Sequence, residues 1–283
     1  MYTRAFEGDE YGYYHRDVLS RVLAVTAEMG TTRLIAHSHP MPQARQMKTV
    51  SKRQADVMWS MTNDERESTL LAIRFPLMRG LSGYRTLIIR EGAQDNFPKN
   101  MTTDELKQKL AVQGEDWPDL KILENQGFNV KGVKWSQWYV SMFNMVDRDM
   151  VDCFPRNIIE IQMDLNRNQD KALMMEQYHL IRYPAYEYFF VRKDNTALAA
   201  RLYTGLARLL ERGELDTLFM AHPNHRDAMA LLNDNERKVH DIDNPSLSYA
   251  LPYARWDLHR DAAVSALYSH AEQLNTVGDL SGQ

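Results

Sequence analysis

Between residues 13 and 29 (YYHRDVLSRVLAVTAEM), Val18, Leu19, Val22, Leu23 and Val25 recur at helical spacing, and Gly30 follows as a natural stop. TRLIAHSH (32–39) then reads as a strand. PQARQMKTVSKRQ (42–54) carries Pro at a helix start. ADVMWSM (55–61) predicts a short buried strand, NDERESTLLAI (63–73) a charged helical turn or loop, and GYRTLIIRE (83–91) a third strand.

The pattern then changes. Residues 92–104 (GAQDNFPKNMTTD) are rich in turn formers and end in a Thr-Thr-Asp helix start, so they read as a linker. Beyond them the expected order is a helix (TDELKQKL), a strand (LAVQG), a helix closed by Gly127 (EDWPDLKILENQG) and a strand (FNVKGV). An amphipathic aromatic helix follows (WSQWYVSMFNMVDR), then a strand (MVDCF) and a helix beginning at Pro155 (PRNIIEIQMDLNR). YEYFFVRK (186–193) is an apolar strand. The remainder reads as helical: TALAARLYTGLARLLERG, ELDTLFMAHP, HRDAMALLND and, after a loop from Asp243, a last helix toward Leu274. Strands alternating with helices predict the α/β class with mainly parallel sheets.

Composition narrows the function. At 283 residues the chain holds two ordinary domains or one large one. It is 44% hydrophobic and 25% charged, which is ordinary for a globular protein and argues against disorder. The formal charge is −4, without a basic tract, so no nucleic-acid partner is expected. No apolar run approaches the ~20 residues of a membrane span. The opening MYTRAFEGDEYGYY lacks the pattern of a signal peptide, so the protein is expected either to be cytoplasmic or to have lost a leader. A single cysteine, Cys153, excludes an internal disulfide. CxxC, HExxH, Walker and GxGxxG patterns are missing, so no cofactor is expected.

Individual residues raise a sharper question. Arg66 follows a strand end and Arg85 lies inside a strand, and both are costly to bury without a partner. His37 and His39 sit on one face of a strand, but two ligands without a third make a weak metal site, and they read as structural or solvent-facing. Ser38 lacks a nucleophile elbow. Cys153 reads as inert core, as do the helically spaced Trp135, Trp138, Tyr139 and Phe143.

Taken together, the Thr62–Arg66 loop, IRFPL, GYRTLII, VQGEDW…LENQGFNV and DRDMVDCFPRNIIEI form a recognisable series. Over roughly residues 13–220 the order of elements resembles the periplasmic solute-binding proteins of the amino-acid-binding type, family 3-like, with the type II two-lobe fold. The resemblance implies a discontinuous lobe 1 (1–91 and 185–283), an inserted lobe 2 (92–184) and two crossing hinge strands, GYRTLIIRE and the YEYFFVRK region. Ligand is then expected between the lobes, at strand ends and helix N-termini. The family opens with a strand before its first helix, for which this chain offers only MYTRAF.

By the same resemblance, Arg66 pairs with a ligand carboxylate, although the T-N-D-E-R spacing is one residue longer than the common form. The alternative is a salt bridge to Asp64 or Glu67. Trp59 and Thr62 end lobe 1's central strand, Thr62 as a ligand contact and Trp59 as contact or core. In lobe 2, Glu115 and Asp116 cap a helix or favour an amine, and Trp117 stacks on ligand or anchors that helix. Asn157 falls where the family places an Asp for the ligand's ammonium, and the adjacent Arg156 either faces an anion or pairs with Glu160. Arg66 and Arg85 are thus expected to border the cleft with Arg156 opposing them from lobe 2, around one anion that would be the missing partner of Arg66 and Arg85. The implied protein is a non-enzymatic, periplasmic, monomeric binder of a small polar, carboxylate-bearing molecule, serving a membrane permease or a sensor. An enzyme on the same two-lobe fold and a degenerate module acting in protein interaction are the alternatives.

Overall fold

The computed structural model describes residues 1–5, 10–234 and 236–250, apart from the side chains at 10 and 135–140. The last helix expected before Leu274, and the side chains of Trp135, Trp138 and Tyr139, lie outside the described residues.

The first stretch contains α1 (Tyr13–Val25), α2 (Gln43–Ser51), β1 (Val57–Met61), α3 (Asp64–Thr69) and β2 (Leu71–Ile73). The middle stretch contains β3 (Tyr84–Arg90), α4 (Thr103–Gln108), β4 (Ala111–Gly114), α5 (Pro118–Asn125) and β5 (Val130–Val133). It continues with α6 (Trp135–Asp147), β6 (Phe154–Asn157), α7 (Ile161–Arg167), β7 (Leu173–Met175) and β8 (His179–Arg182). The chain then forms β9 (Glu187–Val191), α8 (Thr196–Glu211), α9 (Glu214–Ala221), α10 (Pro223–Leu232) and β10 (Lys238–Asp241).

Two compact units result. Among the described residues, unit 1 comprises Met1–Gly80, Tyr186–His222 and the segment from Tyr249 to residue 250, and unit 2 comprises Leu81–Ala185 and Pro223–Ser248. The division differs from the expected lobes at two places. Residues 81–91 belong to unit 2, because β3 is a central strand of its sheet. Residues 223–248 also join unit 2, because β10 extends that sheet beside β8. The chain therefore passes between units four times rather than twice.

Both sheets follow one plan. In unit 1 the order is Ala36, Tyr2, β1, β9, β2, with Tyr2 bridged in parallel to Ala36 and Val57, and β9 antiparallel to β1 and β2. Of the strand expected at 32–39, Ala36 forms a bridge, and of MYTRAF, Tyr2 bridges both Ala36 and Val57. In unit 2 the order is β5, β4, β6, β3, β8, β10, with β6 joined to β4 by the Ala111–Cys153 bridge. Here β3 is the antiparallel member, against β6, β7 and β8. Each sheet is thus a set of parallel strands with one reversed strand inserted between the third and the fourth, which is the α/β class expected from the alternation of elements.

Local chemistry accounts for these elements. Asn63 caps α3 by accepting from the Arg66 amide at 2.8 Å, and Thr102 with Glu105 forms a reciprocal capping box on α4. In unit 1, α1 and α8 bury Val18, Leu19, Val22, Leu202, Leu206 and Leu209. They approach so closely that a Cβ on Gly205 would lie 2.5 Å from Val22 Cγ1. In unit 2, Leu87, Ile88 and Ile89 of β3 are buried, as are Met142, Phe143 and Val146 of α6. Cys153 is buried, and burial pushes its thiol pKa upward, consistent with inert core.

Two local expectations are corrected. Residues 155–157 are strand, and the helix begins only at Ile161. The fixed φ of proline fits extended backbone as well as a first helical turn, and pairing with β3 selects the strand. Leu71–Ile73 is likewise a strand because β9 offers it a partner. Among the described residues, no helix is long and apolar enough to cross a membrane.

Candidate functional site

In unit 1, β1 and β2 end at the same edge, both running against β9, whose start Glu187 lies opposite Met61. Thr62 continues β1 and donates its amide to the Tyr186 carbonyl at 2.8 Å. The Thr62 hydroxyl donates to Glu67 Oε1 at 2.7 Å. Arg74 follows β2, and its Nε and Nη2 donate to Glu67 Oε2 at 2.9 and 2.6 Å. The Tyr249 hydroxyl donates to Glu67 Oε1 as well. One carboxylate thus receives two guanidinium N–H groups and two hydroxyls, a set of charge-assisted bonds at the carboxyl ends of the parallel strands. Desolvation opposes the charge on Arg74, and Glu67 outweighs it, so the pKa of Arg74 is raised.

Arg66 is buried beside this cluster. Its Nη1 donates to the Met61 carbonyl at 2.8 Å and to Ser60 Oγ, and its Nη2 donates to Gln43 Oε1 at 2.6 Å. The side chain therefore ties the end of β1 to the start of α2, and Glu67 is engaged with Arg74. Trp59 is half-buried: His15 stacks on it at 5.2 Å with 2° between the planes, and Tyr2 and Phe189 lie at 5.5 and 6.5 Å. Trp59 thus packs among these three rings.

In unit 2, the expected anion partners of Arg85 and Arg156 are supplied by the chain itself. Arg85 Nε donates to Asp119 Oδ1 at 2.6 Å, its Nη1 donates to the carbonyls of Ser82 and Tyr84, and its guanidinium lies 5.2 Å from the Tyr183 ring. The Tyr183 hydroxyl donates to the same Asp119 oxygen at 2.5 Å. Burial penalises both charges, but their attraction and hydrogen bonds prevail, so Asp119 is held below the usual carboxylate range and Arg85 above its usual value.

Arg156 Nε donates to the fully buried Asp164 at 2.5 Å, and its Nη2 lies 2.8 Å from Glu160 Oε2. Its guanidinium sits 5.2 Å from the Trp117 and Phe154 rings. The idea that a ligand is the missing partner of Arg85 is therefore corrected, and Arg156 is paired with Asp164 and Glu160 rather than with an anion from outside. Asn157 accepts from the Ile159 amide at 2.9 Å, turning the chain out of β6. Trp117 occupies the N-cap of α5 without a capping bond and packs on Phe154 at 6.4 Å. Glu115 and Asp116 precede that position, and Asp119 supplies the first-turn carboxylate.

A second polar centre in unit 2 escaped the sequence reading. His179 Nε2 lies 3.1 Å from the Pro98 carbonyl, His179 Nδ1 lies 3.0 Å from His240 Nε2, and His240 Nδ1 lies 2.9 Å from Thr103 Oγ1. A carbonyl only accepts, so His179 carries its proton on Nε2, His240 on Nε2, and Thr103 donates to His240. This assignment holds while both imidazoles are neutral. Burial lowers both pKa values, that of His240 to about 4. Glu176, buried beside them, accepts from the amides of Tyr178 and His179 at 2.7 Å and from Gln94 at 2.9 Å, closing the break between β7 and β8. His37 and His39 stand 6.3 Å apart, and among the described residues no group of three potential ligands could hold a metal ion.

No family model matches the sequence, and no curated protein matches it. Solved structures do match in fold. An ancestral arginine-binding protein bound to glutamine matches with a TM-score of 0.58 and 15% identity, over 79% of this chain and 96% of that one. A probable amino-acid ABC transporter extracellular-binding protein from Bacillus subtilis matches with a TM-score of 0.56 and 13% identity, over 79% and 96%. A histidine kinase sensor domain with similarity to periplasmic binding proteins matches with a TM-score of 0.56 and 14% identity, over 77% and 93%. The chain has the type II periplasmic-binding-protein fold.

Proposed function

We propose that the chain is a non-catalytic solute-binding module that works outside the cytoplasm and holds a small polar molecule for a membrane permease or a sensor. The observation that carries this reading is the convergence of Thr62, Glu67, Arg74, Tyr186 and Tyr249 at the carboxyl ends of β1 and β2. Open α/β sheets take ligands at this edge, and a few convergent polar groups among aromatic rings supply orientation. Thr62 and Arg74 orient the Glu67 carboxylate. Arg66 holds the strand end in place and is a positioning residue in this reading. The fold is shared with proteins described as binding arginine, glutamine and glutamate, so amino acids are the first ligands to test.

The test combines native mass spectrometry of the freshly purified chain with thermal unfolding against L-arginine, L-glutamine, L-glutamate and the remaining amino acids. The expected result is one co-purifying small molecule, or one amino acid that raises the unfolding temperature in a saturable way. The Glu67→Gln, Arg74→Gln double variant should lose that response. A chain that carries no small molecule and responds to none of the panel would overturn the reading in favour of an interaction module.

A further inference from the structure

Tyr249 enters the strand-end cluster from far along the chain. Its hydroxyl meets a carboxylate 182 residues earlier, on the segment that has just returned from unit 2. The other members are native to the sheet of unit 1: Glu67 on α3, Arg74 at the end of β2, and Tyr186 and Tyr188 at and beside the start of β9. They surround the phenol in a complementary way. The Arg74 guanidinium lies 4.2 Å over the Tyr249 ring, as a cation meets a π-face. Tyr186 stacks near-parallel to that ring at 6.4 Å and 14°, and Tyr188 continues the stack on Tyr186 at 6.1 Å and 6°. The hydroxyl donates to Glu67 and lies 3.3 Å from the Tyr188 hydroxyl. Glu67 is held for this purpose by Thr62 and Arg74.

We propose that Tyr249 is an internal occupant of a ligand subsite, and that the free molecules this subsite takes are neutral phenols: planar aromatic rings bearing a hydroxyl. The inference rests on reading the unit 1 strand ends as the ligand-binding edge. Each feature of the slot selects against another class. An aliphatic side chain offers no π-face to Arg74. A plain aromatic ring gives Glu67 no proton. A phenolate would be repelled by the carboxylate. In agreement, burial and the bond to Glu67 push the Tyr249 phenol well above its ordinary pKa.

The test empties the slot in the full chain and offers the missing side chain as a free molecule. Tyr249→Ala is titrated by calorimetry with 4-methylphenol and, in parallel, with toluene, which has the ring without the hydroxyl. The expected result is one-to-one binding of 4-methylphenol at least tenfold tighter than to the parent chain and at least tenfold tighter than toluene. Adding Glu67→Gln, which leaves only a neutral acceptor, should weaken the preference for the hydroxyl, and Glu67→Leu, which leaves none, should abolish it. A folded Tyr249→Ala that binds 4-methylphenol no better than the parent, or no better than toluene, overturns the proposal. Should Tyr249→Ala fail to fold, refolding it with 4-methylphenol is expected to recover soluble protein where toluene does not, and recovery by neither also overturns it. The outcome is separable from the amino-acid panel. Binding of 4-methylphenol with no response to the panel keeps the slot and removes the amino-acid reading. A panel ligand that binds while 4-methylphenol does not keeps the solute-binding reading and removes the slot.

Discussion

Asp119, on the first turn of α5, holds Arg85, on β3, through a 2.6 Å hydrogen bond in the interior of unit 2. The side chains of Arg85 and Asp119 are 6% and 9% exposed. Breaking a buried ion pair by removing one partner strands the other charge, at about 3–5 kcal/mol. Asp119→Ala is expected to lose stability in that range by urea unfolding. Asp119→Asn, which keeps an acceptor for Arg85 and Tyr183, should lose less. The sign with pH follows from the depressed pKa of Asp119. Its contribution is complete above the ordinary carboxylate value of about 3.9 and disappears as pH falls through its lower folded value. Asp119→Asn should therefore show a shallower acid-induced loss of stability than the parent.

The His179–His240 pair predicts a second pH dependence, at higher pH. Burial lowers both imidazoles in the folded chain from the ordinary value of about 6.5, that of His240 to about 4. The unfolded chain binds the extra protons, so this contribution is complete above about pH 6.5 and falls away toward about pH 4. Lys238 and Arg237 also disfavour the charged form of His179, whereas Glu176 favours it. Substituting His240→Gln should flatten the stability curve between these limits in chemical unfolding at stepped pH. An unchanged slope would show that the relay does not set it.

Gly205 predicts a packing defect. Alanine is the better helix former by about 1 kcal/mol, but its methyl group would overlap Val22 at the contact of α1 and α8. Overpacking typically costs about 1–3 kcal/mol, so Gly205→Ala should lower the urea midpoint on balance. Pairing it with Val22→Ala should recover part of the loss.

Arg66 separates a positioning role from direct contact. Arg66→Ala removes the hydrogen bonds that Arg66 donates to Gln43, Ser60 and the Met61 carbonyl, at about 1–3 kcal/mol by thermal unfolding. Arg66→Lys should recover little, because a single ammonium does not reproduce the planar guanidinium fork. A variant of parental stability that nevertheless loses its ligand would instead make Arg66 a contact residue.

Much of the architecture was legible in the amino-acid sequence. Helical spacing marked α1, alternation marked the α/β class, and the motif order led to the fold that the solved structures share. The boundaries were harder to read. Pro155 serves a strand as well as a helix start, and Leu71–Ile73 is too short to declare its conformation. Short elements such as β10 take their state from the strand beside them. For the same reason residues 223–248 followed a neighbouring strand into unit 2.

The candidate site divides along the same line. Which side chains carry charge, and that Arg66 and Arg85 need partners, is written in the covalent sequence, because desolvation is costly wherever the chain folds. Which group answers each charge is not. Asp119 stands 34 residues from Arg85, and Tyr249 stands 182 from Glu67. Hydrogen bonds and ion pairs form over about 3 Å and are indifferent to distance along the chain. Sheet order and the return of the chain to unit 1 therefore decided that Arg85 and Arg156 are sealed internally, and that Glu67, Arg74 and Tyr249 meet at the strand ends.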